Sequence, residues 1–303
     1  MKKIAITTTT FAEYDKKPVE SCRERGYEVV VNPYGRKIKP EELLELAKDA
    51  VGLVAGTETI AEESLLKLKS LKVISRCGAG IDNVDVKAAG KLGIKVFNTP
   101  DAPTLAVAEL TVGLILNLLR KVRRMDAAVR EGKWEKLMGN LVSGKKVGLI
   151  GFGRIGRKVA GLLGPFGCEI TYADPFIDDG VGGFKRLSLQ EVLSRSDIVS
   201  IHVPAGGMLI GENEIGMMKK GSWLVNASRG GVVDEGALCK ALKSGHLSGA
   251  ALDVFAKEPY EGALKGLDNV ILTPHIGSYA VESRIGMEME AVKNLLNNLD
   301  EVR

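Results

Sequence analysis

Short apolar runs of strand type alternate with helical patterns along most of the chain, and this alternation constrains the fold more than any other feature. A first series of runs covers residues 3–7, 28–31, 52–55, 72–75 and 94–97, and a second covers residues 146–150, 169–173, 197–202, 222–226, 250–254 and 269–273. Strands that are separated by helices pair in parallel and are buried on both faces. The sequence therefore predicts an α/β protein with two Rossmann-like domains, each built on a doubly wound parallel sheet, and a cleft between them.

One helical pattern separates the two series, and another follows the second. Apolar residues recur at helical spacing between residues 102 and 130, which predicts one long buried helix that connects the domains. Residues 280–299 predict a C-terminal helix whose candidate packing residues are Met287, Met289, Ala291, Val292, Leu295 and Leu296. Ligands of open α/β sheets bind beyond the carboxyl ends of the strands, so functional residues are expected there.

The charge balance and the cysteines exclude several classes of function. The chain carries 42 basic and 38 acidic side chains, without a basic block of the kind that binds nucleic acid. The four cysteines form no CxxC pair, the N-terminal apolar stretch is too short for a signal peptide, and no apolar run reaches the ~18 residues that span a bilayer. We therefore expect a cytoplasmic protein with reduced thiols that binds neither nucleic acid, nor a membrane, nor a metal.

A glycine motif follows the first strand of the second series. Residues 151–156 read GFGRIG, and a helical pattern begins directly after them. In such a motif Gly151 permits a tight turn, Gly153 lets the backbone approach a pyrophosphate, and Gly156 lets the helix pack on the strand. Asp174 ends the next strand, about 20 residues on, where a carboxylate binds both ribose hydroxyls and repels a 2′-phosphate. The motif predicts a dinucleotide site that prefers NAD to NADP.

Three polar residues follow three other strands of the second series. Arg229 comes after strand 222–226, Glu258 after strand 250–254 and His275 after strand 269–273. Hydride transfer at a 2-hydroxy acid requires a base for the hydroxyl proton, a cation for the carboxylate and carbonyl, and a partner that holds the imidazole in one tautomer. These residues are of the required types, so the sequence predicts a small anionic 2-hydroxy or 2-keto acid as the substrate.

Several segments, taken together and in this order, resemble the D-isomer-specific 2-hydroxyacid dehydrogenase family, which includes phosphoglycerate dehydrogenases and glyoxylate/hydroxypyruvate reductases. The segments are 78–85 (GAGIDNVD), 107–109 (VAE), the glycine motif with Asp174-Pro175, 226–234 (NASRGGVVD), 252–259 (LDVFAKEP) and 273–278 (TPHIGS). The resemblance covers nearly the whole chain. It implies a substrate domain formed by residues 1–98 and 278–303, and an NAD-binding Rossmann domain formed by residues 99–277.

The resemblance also implies roles for individual residues. His275 is the acid/base, Arg229 binds the substrate carboxylate and polarises the C2–O bond, and Glu258 orients His275 and favours its protonated form. The amides near Ala79 and Gly80 hold the carboxylate, and Asp253 bonds the nicotinamide amide. The residues implied to bind NAD are Gly151, Gly153, Arg154, Ile155, Gly156, Asp174, Pro204, Ala227, Ser228, Arg229, Asp253, His275 and Gly277. Those implied to bind the substrate are Arg76, Gly78, Ala79, Gly80, Arg229 and His275.

The substrate stays open at the level of the sequence. A chain of this length has no room for the C-terminal regulatory domains of long phosphoglycerate dehydrogenases, so we expect a minimal catalytic unit. Arg76 and Lys136 resemble residues that meet a substrate phosphate, which favours 3-phosphoglycerate and a place in serine biosynthesis. Loop 55–58 lacks a basic residue that such enzymes often have, and loop 203–208 lacks a common threonine. The alternatives are a glyoxylate/hydroxypyruvate reductase, a D-lactate dehydrogenase and, remotely, a non-catalytic NAD-binding co-regulator.

The family usually forms homodimers through the NAD-binding domain.

Overall fold

Each series of strands forms its own parallel sheet. The computed structural model describes residues 1–300, and in it the chain divides into two compact units. The first unit consists of Met1–Pro103 and the segment that begins at Ser278, and the second consists of Thr104–Gly277. The predicted fold class, two α/β domains with parallel sheets, is confirmed.

The first unit is built on a five-stranded sheet in the order β2-β1-β3-β4-β5. Its strands and helices are, in chain order, β1 Lys3–Ile6, α1 Lys17–Glu24, β2 Glu28–Val31, α2 Pro40–Leu46, β3 Ala50–Ala55, α3 Glu62–Lys67, β4 Val73–Arg76, α4 Val86–Lys91 and β5 Lys95–Asn98. Residues Ile4, Ala5 and Ile6 of the interior strand β1 are fully buried, so both faces of the sheet are covered. Asp85 accepts a hydrogen bond from the Ala88 amide (2.9 Å) and caps α4, as its position in the sequence indicates.

The helical stretch between the sheets is broken, which corrects the prediction of one long helix. Helix α5 spans Ala102–Arg120 and α6 spans Val122–Arg130, and Lys121 between them has a left-handed backbone with φ 55°. The Leu119 carbonyl accepts a hydrogen bond from the Asn140 amide (2.9 Å). The Arg123 amide, which would have bonded that carbonyl in a continuous helix, donates to Asn117 Oδ1 (3.1 Å). A later segment of chain thus ends α5.

The second unit is built on a seven-stranded sheet in the order β12-β11-β10-β9-β6-β7-β8. Its elements are β6 Lys146–Ile150, α7 Arg154–Leu163, β7 Glu169–Ala173, β8 Lys185–Arg186, α8 Leu189–Arg195, β9 Ile198–Ile201, α9 Glu212–Met217, β10 Ser222–Asn226, α10 Glu235–Lys243, β11 Leu247–Leu252 and β12 Val270–Leu272. The sequence did not predict β8, because two residues at a sheet edge are too few to show a period. The strand order reverses between β6 and β9, the place where such sheets bind dinucleotides.

The first unit is completed by the C-terminal helix α11, Val281–Asp300. Its buried residues Met287, Ala291, Val292, Leu295 and Leu296 join the apolar core on one face of the first sheet, as predicted. Met289 is 36% exposed, so its assignment to the core was wrong.

Helix α5 is, by length and composition, apolar enough and long enough to cross a membrane. Its residues Ala108, Leu114, Ile115, Leu118 and Leu119 are buried in the core of the second unit. Core helices of water-soluble proteins meet the same criterion, so this helix carries no argument for a membrane.

Candidate active site

The glycine turn after β6 has the backbone that its sequence predicts. Gly151 has φ +93°, and a Cβ at this residue would lie 2.4 Å from the His202 carbonyl oxygen. A Cβ at Gly156 would lie 2.3 Å from the Gly151 carbonyl oxygen, so only glycine lets α7 pack this closely on the turn. A Cβ at Gly153 would meet no atom within 4 Å, which leaves the middle of the turn open to a ligand.

Asp174 lies directly beside this turn. Its carboxylate follows the end of β7 and accepts hydrogen bonds from the Phe152 amide (2.7 Å) and the Phe176 amide (2.9 Å). The backbone therefore holds the carboxylate next to the turn where a pyrophosphate would bind. These features fit a bound dinucleotide with free ribose hydroxyls. The backbone packs closely at Gly151 and Gly156, space remains at Gly153, and the Asp174 carboxylate lies beside the turn as a hydrogen-bond acceptor.

His275 and Glu258 form a hydrogen-bonded pair at the carboxyl edge of the same sheet. The distance between His275 Nδ1 and Glu258 Oε2 is 3.0 Å, and the side chains are 50% and 40% exposed. The Phe255 amide donates to Glu258 Oε1 (3.1 Å) and holds the carboxylate in place. His275 has φ 57°, a left-handed backbone that is strained for a residue other than glycine. Such strain is found most often at functional sites.

A buried carboxylate anchors the loop that carries His275. Asp253 is fully buried, and its oxygens accept hydrogen bonds from Thr273 Oγ1 (2.6 Å), the Ile276 amide (2.8 Å) and the Gly277 amide (2.8 Å). Burial raises the pKa of the Asp253 carboxyl, against the opposing effect of these three donors. The contacts on both sides of His275 fix the loop.

Arg229 lies on the neighbouring loop, after β10. The Arg229 carbonyl accepts a hydrogen bond from Asn226 Nδ2 (3.1 Å), and Asn226 Oδ1 accepts from the Ser228 amide (3.0 Å). A Cβ at Gly230 would lie 1.8 Å from the Phe255 carbonyl oxygen, so this loop packs directly against the loop that leads to Glu258. Strands β10, β11 and β12 are neighbours in the sheet. The structure thus places Arg229, Glu258 and His275 on adjacent strand ends.

The remaining predicted cofactor residues lie at the same edge of this sheet. Arg154 and Ile155 begin α7, Pro204 follows β9, Ala227 and Ser228 follow β10, and Gly277 bonds Asp253. In residues 1–300, no group of three or more His, Cys, Asp or Glu side chains is arranged to hold a metal ion.

The predicted substrate loop lies in the first unit, at the carboxyl end of β4. Thr99 Oγ1 accepts a hydrogen bond from the Gly78 amide (2.7 Å), and the Ala79 carbonyl accepts from Asn98 Nδ2 (2.6 Å). A Cβ at Gly78, which has φ +142°, would lie 1.2 Å from Arg76 Nη1. Among residues 1–300 the amides of Ala79 and Gly80 donate to no protein acceptor, so they suit an external anion.

Four residues that hold these loops were given no role from the sequence. Asn98 and Thr99 support the Ala79 loop, Asn226 supports the Arg229 loop, and Thr273 bonds Asp253. Each is a polar residue at or just beyond the end of a buried strand. That pattern is the sequence signal by which they can be found.

Comparison with known proteins identifies the family of this chain. The sequence model of the family described as "D-isomer specific 2-hydroxyacid dehydrogenase, NAD binding domain" matches residues 112–277. The chain belongs to this family of oxidoreductases. Its second unit is accordingly an NAD-binding domain.

Two relatives and one solved structure illustrate the relationship. The D-3-phosphoglycerate dehydrogenase of Homo sapiens is 40% identical over 266 residues, which cover 84% of this chain and 50% of the relative. The glyoxylate reductase of Thermococcus litoralis is 40% identical over 272 residues, which cover 84% of this chain and 82% of the relative. A crystal structure of a Thermus thermophilus protein has a TM-score of 0.92 and 37% identity, and covers 99% of this chain and 97% of that chain. The chain spans about half the length of the phosphoglycerate dehydrogenases it matches.

Proposed function

We propose that this protein is an NAD-dependent dehydrogenase that interconverts a small D-2-hydroxy acid and its 2-keto acid. The observation that carries the proposal is the hydrogen-bonded His275–Glu258 pair on strand ends next to Arg229, within the NAD-binding domain. The bound nicotinamide supplies the hydride acceptor or donor, and the side chains of the chain handle the proton and the negative charge.

His275 is proposed to move the proton of the C2 hydroxyl. Its Nδ1 bonds Glu258, which leaves Nε2 for the substrate oxygen. In the oxidation direction neutral His275 accepts the proton, and in the reduction direction protonated His275 donates it. Glu258 orients the imidazole, because its carboxylate oxygen lies 3.0 Å from Nδ1 and holds the ring in one position. Asp253 positions His275 through its loop, and its contact with the nicotinamide amide is proposed from family resemblance.

Arg229 is proposed to bind the substrate carboxylate and to polarise the C2–O bond. A guanidinium binds a carboxylate through two parallel hydrogen bonds and keeps its charge throughout the physiological pH range. In the first unit the Ala79 and Gly80 amides are proposed to bind carboxylate oxygens, supported by the loop contacts of Asn98 and Thr99. The NAD pyrophosphate is proposed to lie on the turn 151–156 and its ribose on Asp174.

We propose 3-phosphoglycerate as the first candidate substrate. Relatives named D-3-phosphoglycerate dehydrogenase match at about 40% identity, and the guanidinium of Arg76 packs against Gly78 in the proposed carboxylate loop. A guanidinium at this place can bind a phosphate.

Glyoxylate or hydroxypyruvate is the second candidate, and one loop of the first unit favours it. Cys77 donates its amide to the Ala55 carbonyl (2.9 Å), so loop 55–58 borders the carboxylate loop. This loop has no cation. It holds instead the carboxylate of Glu58, which is 3% exposed and accepts hydrogen bonds from Thr7 Oγ1 and the Gly56 amide. A carboxylate at this position disfavours a phosphate.

We further propose that the protein is a homodimer and that it resides in a reducing compartment such as the cytoplasm. Leu105 of α5 is 48% exposed, and Trp134, Met138 and Leu141 after α6 are 82%, 88% and 70% exposed. A run of exposed apolar side chains of this kind is typical of a protein–protein interface. The four cysteines are unpaired, which suits reduced thiols.

The change in NADH absorbance across a panel of acids tests the proposed function. The panel comprises 3-phosphoglycerate with NAD, and phosphohydroxypyruvate, hydroxypyruvate, glyoxylate and pyruvate with NADH or NADPH. We expect turnover of at least one acid and a strong preference for NADH over NADPH. His275→Ala should lower kcat about 10²- to 10⁴-fold and leave NADH binding nearly unchanged, whereas His246→Ala should retain activity. NADH binding without turnover of any acid would favour the non-catalytic alternative.

A further inference from the structure

A cavity of about 340 Å³ lies at the amino end of the second sheet. Trp223 stands near the start of β10, Ser248 near the start of β11, and Asn269 just before β12. The proposed catalytic residues follow the opposite ends of the same strands, so the cavity is separate from the active site. The residues that line it are Asn117, Leu118, Leu119, Lys121, Arg123, Arg124, Asn140, Trp223, Ser248, Asp268, Asn269, Val270 and Ile271.

The cavity carries an excess of positive charge. Its lining includes the cations Lys121, Arg123 and Arg124 against one carboxylate, Asp268, a formal excess of two positive charges. Over residues 1–300 none of these four side chains forms an ion pair with another residue. Cations gathered in a cavity without a carboxylate partner attract an anion of matching charge.

The break between α5 and α6 brings these cations to the cavity. Lys121 occupies the break, and Arg123 and Arg124 lie in the first turn of α6. The positive end of the α6 dipole favours negative charge near this turn, although the Arg123 amide itself already donates to Asn117 Oδ1 (3.1 Å). Arg123 Nη1 donates to the Val270 carbonyl (3.4 Å), which ties its guanidinium to the start of β12.

The remaining walls of the cavity combine polar side chains, those of Asn117, Asn140, Ser248 and Asn269, with apolar ones. Leu118, Val270 and Ile271 are buried, and the Trp223 ring has Lys145 Nζ 5.9 Å from its centroid. The volume is at the small end of ligand pockets, well below the size that a dinucleotide needs. Such a cavity suits a compact anionic molecule that polar side chains can bind.

We propose that this cavity is a binding site for a small dianion, a dicarboxylate or a phosphate ester of metabolite size. The site is independent of the proposed dehydrogenase activity. The proposal rests on three observations together, which are the cavity, its excess of positive charge and the start of helix α6 beside it.

Tryptophan fluorescence provides a local test of binding. The chain has two tryptophans, Trp134 and Trp223, so Trp134→Phe leaves the cavity wall as the only source of tryptophan emission. Inorganic phosphate and succinate at about pH 8, where both are dianions, should change the emission to saturation. Acetate and chloride at the same ionic strength should not.

Three variants in the Trp134→Phe background locate the site. Arg124→Ala should raise the Kd of phosphate about tenfold or more, because it removes a charged hydrogen-bond donor. Lys121→Gly should also raise it, and glycine suits the left-handed backbone there, so this variant should fold. Arg130→Ala, on the same helix but outside the cavity, and Arg229→Ala, at the proposed substrate site, should both keep the wild-type Kd.

Three outcomes would overturn the proposal. The first is an emission change that does not saturate or that chloride reproduces, because this would be ionic screening. The second is an unchanged Kd in both Arg124→Ala and Lys121→Gly. The third is phosphate binding that disappears when the chain associates, as followed by light scattering, because a second copy would then fill the cavity.

Discussion

At the scale of single residues, the proposed acid/base depends on carboxylates in two different settings. Glu258 is half-exposed and bonds the His275 ring directly, whereas Asp253 is fully buried and accepts from Thr273 Oγ1 before His275 and from the Ile276 and Gly277 amides after it. The first carboxylate holds the imidazole ring, and the second holds the loop that carries it. The left-handed backbone at His275 requires this support because it is otherwise unfavourable.

Glu258→Gln separates charge from geometry at this pair. Glutamine can keep a hydrogen bond to Nδ1 but removes the negative charge beside the imidazole. We expect kcat for reduction to fall about tenfold in Glu258→Gln, and further in Glu258→Ala, because alanine also removes the hydrogen bond that orients the ring. The measurement is kcat for NADH oxidation.

Glu261→Gln is the matched control, because Glu261 is exposed and pairs with Lys265 (3.1 Å). It should leave kcat unchanged. An unchanged kcat in Glu258→Gln as well would show that the carboxylate does not act on His275 in the working enzyme.

His202 makes the stability of the second unit sensitive to acid. Its ring Nδ1 is enclosed without a partner, its Nε2 bonds Ser200 Oγ (2.9 Å), and burial lowers its pKa to about 4. The unfolded chain has an ordinary pKa of about 6.5 and binds this proton first, so folding stability falls as the pH drops from about 6.5 to about 4. The contribution to the free energy of unfolding is about 3 kcal/mol.

Denaturant unfolding followed by tryptophan emission measures this effect, because both tryptophans belong to the second unit. His202→Asn should reduce the loss of stability between about pH 6.5 and 4, and His246→Asn should not. If the free energy of unfolding fell equally with pH in the wild type and in His202→Asn, other groups would account for the acid sensitivity.

At the scale of elements, the break at Lys121 is the main departure from a regular pattern. Helix α5 ends because the Asn140 amide donates a hydrogen bond to the Leu119 carbonyl. Helix α6 starts because Asn117 Oδ1 accepts a hydrogen bond from the Arg123 amide. The side chain of one helix thus caps the start of the next. This arrangement sets the positions of Arg123 and Arg124 at the cavity.

Asn117→Ala should destabilise the second unit by about 1 kcal/mol, because it leaves the Arg123 amide without its acceptor. The measurement is again denaturant unfolding followed by tryptophan emission. Asn213→Ala, an exposed asparagine in the first turn of α9, should change the free energy of unfolding by less than about 0.5 kcal/mol. If Asn117→Ala lowered the free energy of unfolding no more than Asn213→Ala does, the helix break would need no side-chain cap.

At the scale of the whole molecule, the proposed homodimer accounts for apolar surface that the single chain leaves exposed. Light scattering should give about twice the chain mass of 32.4 kDa. Met138→Glu places a charge in the exposed apolar run and should weaken association at least tenfold, whereas Met217→Glu on α9 should not. A mass of one chain at micromolar concentration would contradict the proposed dimer.

The strands, the parallel sheets and the family could be predicted from the sequence because they depend on local periods and motifs. The glycine turn is one example. Close packing at Gly151 and Gly156 and open space at Gly153 are what the motif predicts. The helix break could not be predicted, because Lys121 lies in a continuous helical pattern and the residue that ends α5 is Asn140, farther along the chain.

The sequence by itself determined which residue types follow which strands, and therefore that an imidazole, a carboxylate and a guanidinium lie at one sheet edge. Only the tertiary structure decided that Asp253 fastens the His275 loop and that three cations gather at the opposite edge. The physical reason is that a strand end is set by local periodicity, whereas hydrogen bonds and charge clusters depend on how distant segments pack.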